Sequence, residues 1–358
     1  AVLAEVEAVV VAPAALVAYA EALFNAAGMD PDKSAIVAPL LVEADLMGHT
    51  THGLAQGPAY LNGLESGAML GAGEPITIAD RGAVVTWDGQ RISGVWLTAK
   101  AVELAVDRAR TYGTCTVVIR RCGHIACLAA YLEMATAKDC MITLASSDPS
   151  VESVAPYGGT TPKFTPNPIA VGIPTEGDPI LIDISASITT NGLTGRLHGE
   201  GKSLPGEWVQ DADGRPSNDP GVLFTDPPGT ILPIGGREYG HKGFGLALMI
   251  EAMTQGLSGL GRADPKEGWG ASVYLQVIDP TAFSGTEGFT RQTTWLAEAC
   301  RADRPAVGVE AVRMPGDGAL ARKRAALAEG VEIYSGVMEK LGLGWDVGQK
   351  QNNDGAVF

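Results

Sequence analysis

Apolar residues along this chain change their spacing twice. At the N-terminal end the helical period dominates. Over 33–47 it puts Ile36, Val37, Leu40, Leu41 and Ala44 on one face. Asp30 can cap the free N–H groups of that helix, and Pro31 suits its first turn. A short strand over 6–11, a helix over 13–27 opened by Pro13, and a helix over 54–64 closed by Ser66-Gly67 make the first 70 residues mainly helical. From 84 onward, short β-rich apolar runs alternate with helical spacing. Strands are expected over 84–87, 116–119, 141–145, 169–173, 179–184 and 273–278, with helices over 97–112, 128–137 and 241–257. That alternation predicts an α/β core with a partly parallel sheet. Helices over 290–302, 318–329 and 331–341 then return the chain to the helical period. A helical domain built from both chain ends (1–75 plus 290–358) around an α/β domain (76–289) is the expected organisation.

Two stretches lack either period. Residues 146–168 hold Asp148-Pro149, Pro156, Gly158-Gly159, Pro162 and Asn167-Pro168, and an irregular segment of that length is more often functional than idle. Residues 199–230 are rich in Gly, Pro and Asp and read as surface loops.

Charge and cysteine usage narrow the function classes. The formal charge is −15, with no basic block to offset it, which argues against a nucleic-acid or anionic-membrane partner. An anionic substrate would then need a local positive site. Cys115, Cys122, Cys127, Cys140 and Cys300 show no C-x-x-C spacing, so a zinc site or redox dithiol is not expected and a reducing cytoplasmic setting is. The N-terminal stretch carries Glu5 and Glu7 and no basic n-region, and does not read as a signal peptide. No uncharged apolar run is long enough to span a membrane.

Chemistry concentrates at Gly48-His49-Thr50-Thr51-His52-Gly53, which holds two of the five histidines just beyond the 33–47 helix. Histidine can donate and accept a proton near neutrality. The pair also admits a structural reading and, with no H-E-x-x-H present, a weaker metal-binding one. His124, between a strand and a helix, occupies the kind of sheet-top loop where α/β proteins place their sites. Asp183 closes an apolar strand, where its carboxylate needs either a partner or solvent. Gly240-His241-Lys242-Gly243-Phe244-Gly245 reads either as a phosphate-cradling helix entry or as an ordinary one with a solvated lysine. No G-x-G-x-x-G follows a strand, and no Walker loop or G-x-S-x-G is present.

Taken together, these segments resemble the malate/L-lactate dehydrogenase-like oxidoreductases, which are distinct from the Rossmann-type malate and lactate dehydrogenases. Ureidoglycolate and sulfolactate dehydrogenases and Δ1-piperideine-2-carboxylate reductase are members. The likeness spans about residues 10–345. It is carried by 44–53, Gly123-His124, Ser147-Asp148-Pro149, Pro156-Tyr157-Gly158-Gly159, Asn167-Pro168-Ile169-Ala170, Asp183-Ile184-Ser185, 240–246 and Arg313-Met314-Pro315-Gly316. It implies a non-Rossmann, mixed-sheet NAD(P)-binding core, a homodimer, and hydride transfer between NAD or NADP and a 2-hydroxy or 2-oxo acid. A cyclic imino acid is the alternative substrate. By the resemblance, His52 is the foremost proton donor and acceptor, His124 a second candidate, and Asp183 the carboxylate that orients an imidazole. Thr51, Gln56 and Asn167 fall at substrate positions. Ser147, Asp148, Ile182, Asp183, Ile184, Ser185, His241, Lys242, Gly316, Asp317 and Gly318 fall in cofactor-contacting segments. Three residues depart from the family pattern. Thr51 replaces a serine and keeps its hydroxyl, Pro166 replaces a threonine, and Gln56 stands where many members have a carboxylate-gripping arginine.

Overall fold

The computed structural model describes residues 8–265 and 270–342. Val6 and Glu7 of the expected first strand, and 343–358 of the expected helical domain, lie outside the described residues. The chain opens with β1 (Ala8–Val11), α1 (Pro13–Ala26), α2 (Pro31–Leu46) and α3 (Gly57–Ser66). The sheet then begins with β2 (Ile76–Asp80) and β3 (Val84–Asp88), and α4 (Gly94–Tyr112) carries the chain over to β4 (Thr114–Cys122). A 3-10 turn at Leu128–Tyr131 leads into the short α5 (Leu132–Thr136), followed by β5 (Met141–Ser147), β6 (Pro168–Ile173) and β7 (Ile180–Ser185).

After α6 (Asn191–Gly199) come three two-residue strands, β8 (Val209–Gln210), β9 (Pro216–Ser217) and β10 (Thr230–Ile231). They pair as a small sheet in the stretch that composition marked as loops. Val209 and Ile231 close with Val154, Phe164 and Leu204 into a minor core, which accounts for the order of this glycine- and proline-rich region. The chain ends with α7 (Gly236–Glu251), β11 (Ala271–Ile278), α8 (Thr286–Arg301), α9 (Asp317–Glu329), β12 (Val331–Tyr334) and α10 (Ser335–Lys340).

The main sheet is mixed, in the order β2-β3-β4-β11-β5-β6-β7. Among the described strands of this sheet only β3 and β4 pair in parallel, and that pair needs the crossover α4 because parallel strands cannot be joined by a tight turn. Val95, Leu97, Ala101, Val102 and Ala105 of α4 are buried, and Gly113 at φ 79° ends the helix in the left-handed conformation. Strand β11 lies between β4 and β5 and buries Val273, Leu275 and Val277 at alternate positions.

Two expected elements differ in the structure. The stretch 331–341 is not one helix: Gly330 at φ 104° breaks off α9, and Val331–Tyr334 pairs antiparallel with β1, tying the chain ends together. The helix placed at 241–257 starts earlier, at Gly236, and runs through a π turn at Ala252–Gly256. One continuous apolar core joins both chain ends to the sheet, from Leu16, Phe24, Leu41 and Ile333 to Leu97, Val117 and Leu275.

Candidate active site

A cavity of about 520 Å³ opens at one edge of the main sheet. His124 reaches it from beyond β4, Ser147 and Asp148 from the end of β5, and Asp183, Ile184 and Ser185 from the end of β7. The starts of β6 and β11 add Pro168 and Ala271. The histidine segment, with His49, Thr51, His52 and Gln56, closes over it together with Thr190, Asn191 and Gly192.

The histidine segment is fixed at its entry. Gly48, at φ 86°, ends α2 in the left-handed region, and the Arg322 guanidinium donates from Nε to the Met47 carbonyl at 3.0 Å. A Cβ on Gly48 would collide with that side chain. His52 N–H donates to the His49 carbonyl at 2.9 Å, tightening the turn. Below it, the buried Asp45 accepts from the Leu54 N–H at 2.8 Å, and its carboxyl lies where a Cβ on Gly53 would fall. Burial raises the Asp45 pKa to about 7, only partly opposed by that hydrogen bond. The glycine after His52 is therefore a packing requirement of this carboxyl.

The rings of His52 and His124 stack 6.0 Å apart, interplanar angle 28°. His52 Nδ1 lies 2.8 Å from the Thr51 hydroxyl. His124 Nδ1 lies 2.9 Å from the hydroxyl of buried Tyr60, which also donates to the His124 carbonyl at 3.2 Å. Burial, with a smaller contribution from nearby His52, drives the His124 pKa down to about 3. Burial lowers His52 as well. Both rings are thus neutral at neutral pH, because burial in a cavity wall of low polarity disfavours the imidazolium form.

Asp183 is half-buried, and burial raises its pKa to about 6. It accepts from the Ala129 N–H at 2.9 Å, and the Cys127 thiol donates to it at 3.7 Å. The imidazole that comes within 4.8 Å of both groups is that of His49. Among the described residues, the hydrogen bonds assigned to Asp183 run to Ala129 and Cys127 and not to His52 or His124.

The remaining expected positions divide. Thr51, Gln56, Ser147, Asp148, Ile184 and Ser185 line the cavity, and the Gln56 amide donates to the Thr51 carbonyl at 2.7 Å. Asn167 lies beneath the wall, fully buried at φ 49°, donating to Glu251 Oε1 at 2.9 Å. Ile182, His241, Lys242, Gly316, Asp317 and Gly318 are not among the cavity-lining residues. Gly240–Gly245 is helix interior rather than a loop at a helix entry, and Gly243 serves close packing, since a Cβ there would meet Ile234 N and the Ala186 carbonyl. Gly316 packs on Leu181 of β7, and the Asp317 carboxylate is held by Arg301 and the Met314 N–H.

Residue patterns gave no hint of Tyr60, whose partner is 64 residues away, or of Cys127, an ordinary residue in an apolar run. They were also silent on the staple behind the site. There Arg262 donates to Glu251 Oε1 at 3.0 Å and to the Val151 carbonyl at 3.0 Å, while the Ser147 hydroxyl donates to Glu251 at 2.7 Å.

Comparison with known proteins places this geometry. Residues 11–342 match the family model described as malate/L-lactate dehydrogenase. An L-sulfolactate dehydrogenase of Methanothermobacter thermautotrophicus is 28% identical over 327 residues, covering 89% of this chain and 91% of that protein. A Delta(1)-pyrroline-2-carboxylate/Delta(1)-piperideine-2-carboxylate reductase of Pseudomonas syringae pv. tomato is 30% identical over 329 residues, covering 89% and 91%. In fold, the crystal structure of malate dehydrogenase from Entamoeba histolytica superposes with a TM-score of 0.89 at 21% identity, covering 97% of this chain and 99% of that one. The chain is an enzyme of the dehydrogenase and reductase class. It belongs to the malate/L-lactate dehydrogenase family.

Proposed function

We propose that this enzyme interconverts a 2-hydroxy acid and its 2-oxo acid with NAD or NADP. The observation that supports this best is the stacked pair of neutral imidazoles, His52 and His124, in one cavity. Hydride arriving at or leaving a carbonyl carbon requires a matching proton movement at the oxygen. Two rings 6.0 Å apart in a low-polarity wall do not both carry charge, and His124 is driven further from protonation than His52. His52 is then the group that takes or returns the proton of the substrate C2 oxygen. His124 stays neutral, held at Nδ1 by Tyr60, and polarises the same oxygen as a hydrogen-bonding partner. Asp183 lines the same cavity, and its carboxylate is the group we assign to offset the positive charge that forms on an imidazole there.

The cavity wall suits the nicotinamide and ribose half of a dinucleotide. Oδ1 of Asp148 is taken by the Ser150 N–H and hydroxyl, at 2.7 and 2.6 Å. Its buried Oδ2 has no hydrogen-bond partner among the described residues, so a carboxamide N–H or ribose hydroxyl would satisfy it. Ser147, Asp148 and residues 182–185 would hold that half, with His241, Lys242 and 316–318 toward the phosphates and adenosine. When bound, the nicotinamide supplies or accepts the hydride. We assign Thr51 and Gln56 to the substrate's carboxylate end and Asn167 to bracing the wall behind it. We assign the described residues of 76–289 to cofactor handling, and those of 1–75 and 290–342 to closing the site and pairing two copies.

A second reading, reduction of a cyclic imino acid, is favoured by the 30% identity to the pyrroline and piperideine reductase. Nicotinamide absorbance with NADH and NADPH, read against a panel of 2-oxo acids and cyclic imines, separates the two. The hydroxy-acid reading fails if only cyclic imines turn over, and both fail if nothing does. His52→Ala is expected to lower turnover by roughly 10²- to 10⁴-fold, the usual worth of a positioned acid/base. Near-normal turnover in that variant with cofactor still bound would move the role to His124.

A further inference from the structure

The proton-transfer reading makes no use of Cys127 or His49, yet the fold brings both to Asp183. One ligand atom each from His49, Cys127 and Asp183 lies within 4.8 Å of the others, and all three line the cavity. Cys127 already faces the carboxylate, its thiol donating to Asp183 at 3.7 Å. The residue before it, Ala126, has φ 56°, a left-handed backbone unusual for alanine that turns the chain there. We propose that His49, Cys127 and Asp183 form a binding site for a borderline-soft divalent cation of the zinc class, and that the ion shuts the enzyme by occupying the reaction cavity.

Imidazole, thiolate and carboxylate are the three ligand types zinc takes, and a thiolate selects against magnesium and calcium. Ligand atoms of a tetrahedral zinc site lie roughly 3.5 Å apart, given metal–ligand distances of about 2.0–2.3 Å. The three side chains therefore need to close by about 1 Å around the ion. Charge also agrees. Thiolate and carboxylate together offset a divalent ion, and no lysine or arginine is among the described cavity-lining residues; Arg322, whose charge acts on His49, lies outside that lining. On binding, the sulfur–metal bond forms as the thiol proton leaves to solvent, with no change of oxidation state. The fourth position opens into the cavity, where water or a substrate oxygen would complete the coordination. An ion there ties up Asp183 and sits beside the His52 and His124 rings, so turnover stops while the ion is bound.

The test uses the full chain. Equilibrium dialysis with metal analysis is expected to give one Zn²⁺ per chain, and Co²⁺ in its place a thiolate-to-cobalt charge-transfer absorbance. Cys127→Ser should remove that absorbance and weaken zinc binding by roughly 10- to 100-fold, with His49→Ala weakening it comparably. Zinc should inhibit the unmodified enzyme reversibly, EDTA restoring the rate, and should inhibit Cys127→Ser less relative to its own zinc-free rate. No thiolate–cobalt absorbance in the unmodified chain overturns the proposal without reference to any variant. Zinc binding that Cys127→Ser leaves unchanged overturns it as well. The dialysis and absorbance readings do not depend on the hydride-transfer reading, so a chain that binds zinc but turns over no substrate would refute only the latter. Stoichiometric binding without inhibition would refute the shut-off.

Discussion

Replacing Asp45 with asparagine tests how the active-site loop is held. In the native chain burial raises the Asp45 pKa from 3.8 to about 7. At about 1.4 kcal/mol per pKa unit, the ionised form costs the fold about 4 kcal/mol. The sign follows from proton binding. Below the unfolded value both states hold the proton and the group adds no penalty. Between that value and about 7 the unfolded chain releases its proton while the native one keeps it, so stability falls as pH rises. Above about 7 the penalty is constant. Asparagine keeps an oxygen for the Leu54 N–H and never ionises. Urea unfolding of both proteins should show the stability of Asp45→Asn gaining on the native enzyme by about 3 kcal/mol between pH 5 and pH 8. A fixed cost of the new amide would displace one curve without changing that gain. Parallel curves across the range would refute a buried, protonated Asp45.

Three further outcomes follow from the same geometry. Gly53→Ala puts a Cβ against the Asp45 carboxyl and should displace it from Leu54 N–H, costing about 1–3 kcal/mol in urea unfolding and lowering turnover through His52; unchanged stability and rate would contradict the packing described. Arg262→Ala leaves Glu251 without its cation and the Val151 carbonyl without a donor, and should destabilise the fold by about 2–4 kcal/mol, read as a lower urea midpoint. Gln56→Arg offers a charge-assisted pair to a substrate carboxylate and should lower KM for a 2-hydroxy acid by roughly 10-fold with kcat little changed; an unchanged KM would place the carboxylate away from this residue.

Much of the architecture is local and was legible in residue order. Pro13, Pro31 and Gly113 mark helix ends because φ preferences and missing donors act within a few residues, whereas Asp30 stands at the N-cap without making a side-chain capping hydrogen bond. The β-rich runs at 116–119, 141–145 and 273–278 mark the middle of the sheet because β-branched and apolar residues recur at the positions a strand buries, as at Val273, Leu275 and Val277. Residue order also singled out His52, His124 and Asp183, whose segments carry the family likeness. Tertiary structure decided what no local pattern encodes. Val331-Glu332-Ile333 is a strand because β1 lies beside it, 320 residues away in sequence, and offers it hydrogen bonds. Val209 and Ile231 are core because Val154 and Phe164 meet them. Gly240 to Gly245 lies inside a helix because Gly235 caps it one turn earlier. The cavity itself is a product of strand order: β5 and β7 are separated by β6 and joined through the 32 residues between Ser147 and Ile180, yet they end on one side of the sheet, and that side brings Asp183 to Cys127 and His49. Side-chain chemistry is written along the chain, whereas the distances that turn it into a site arise only when non-local pairings close.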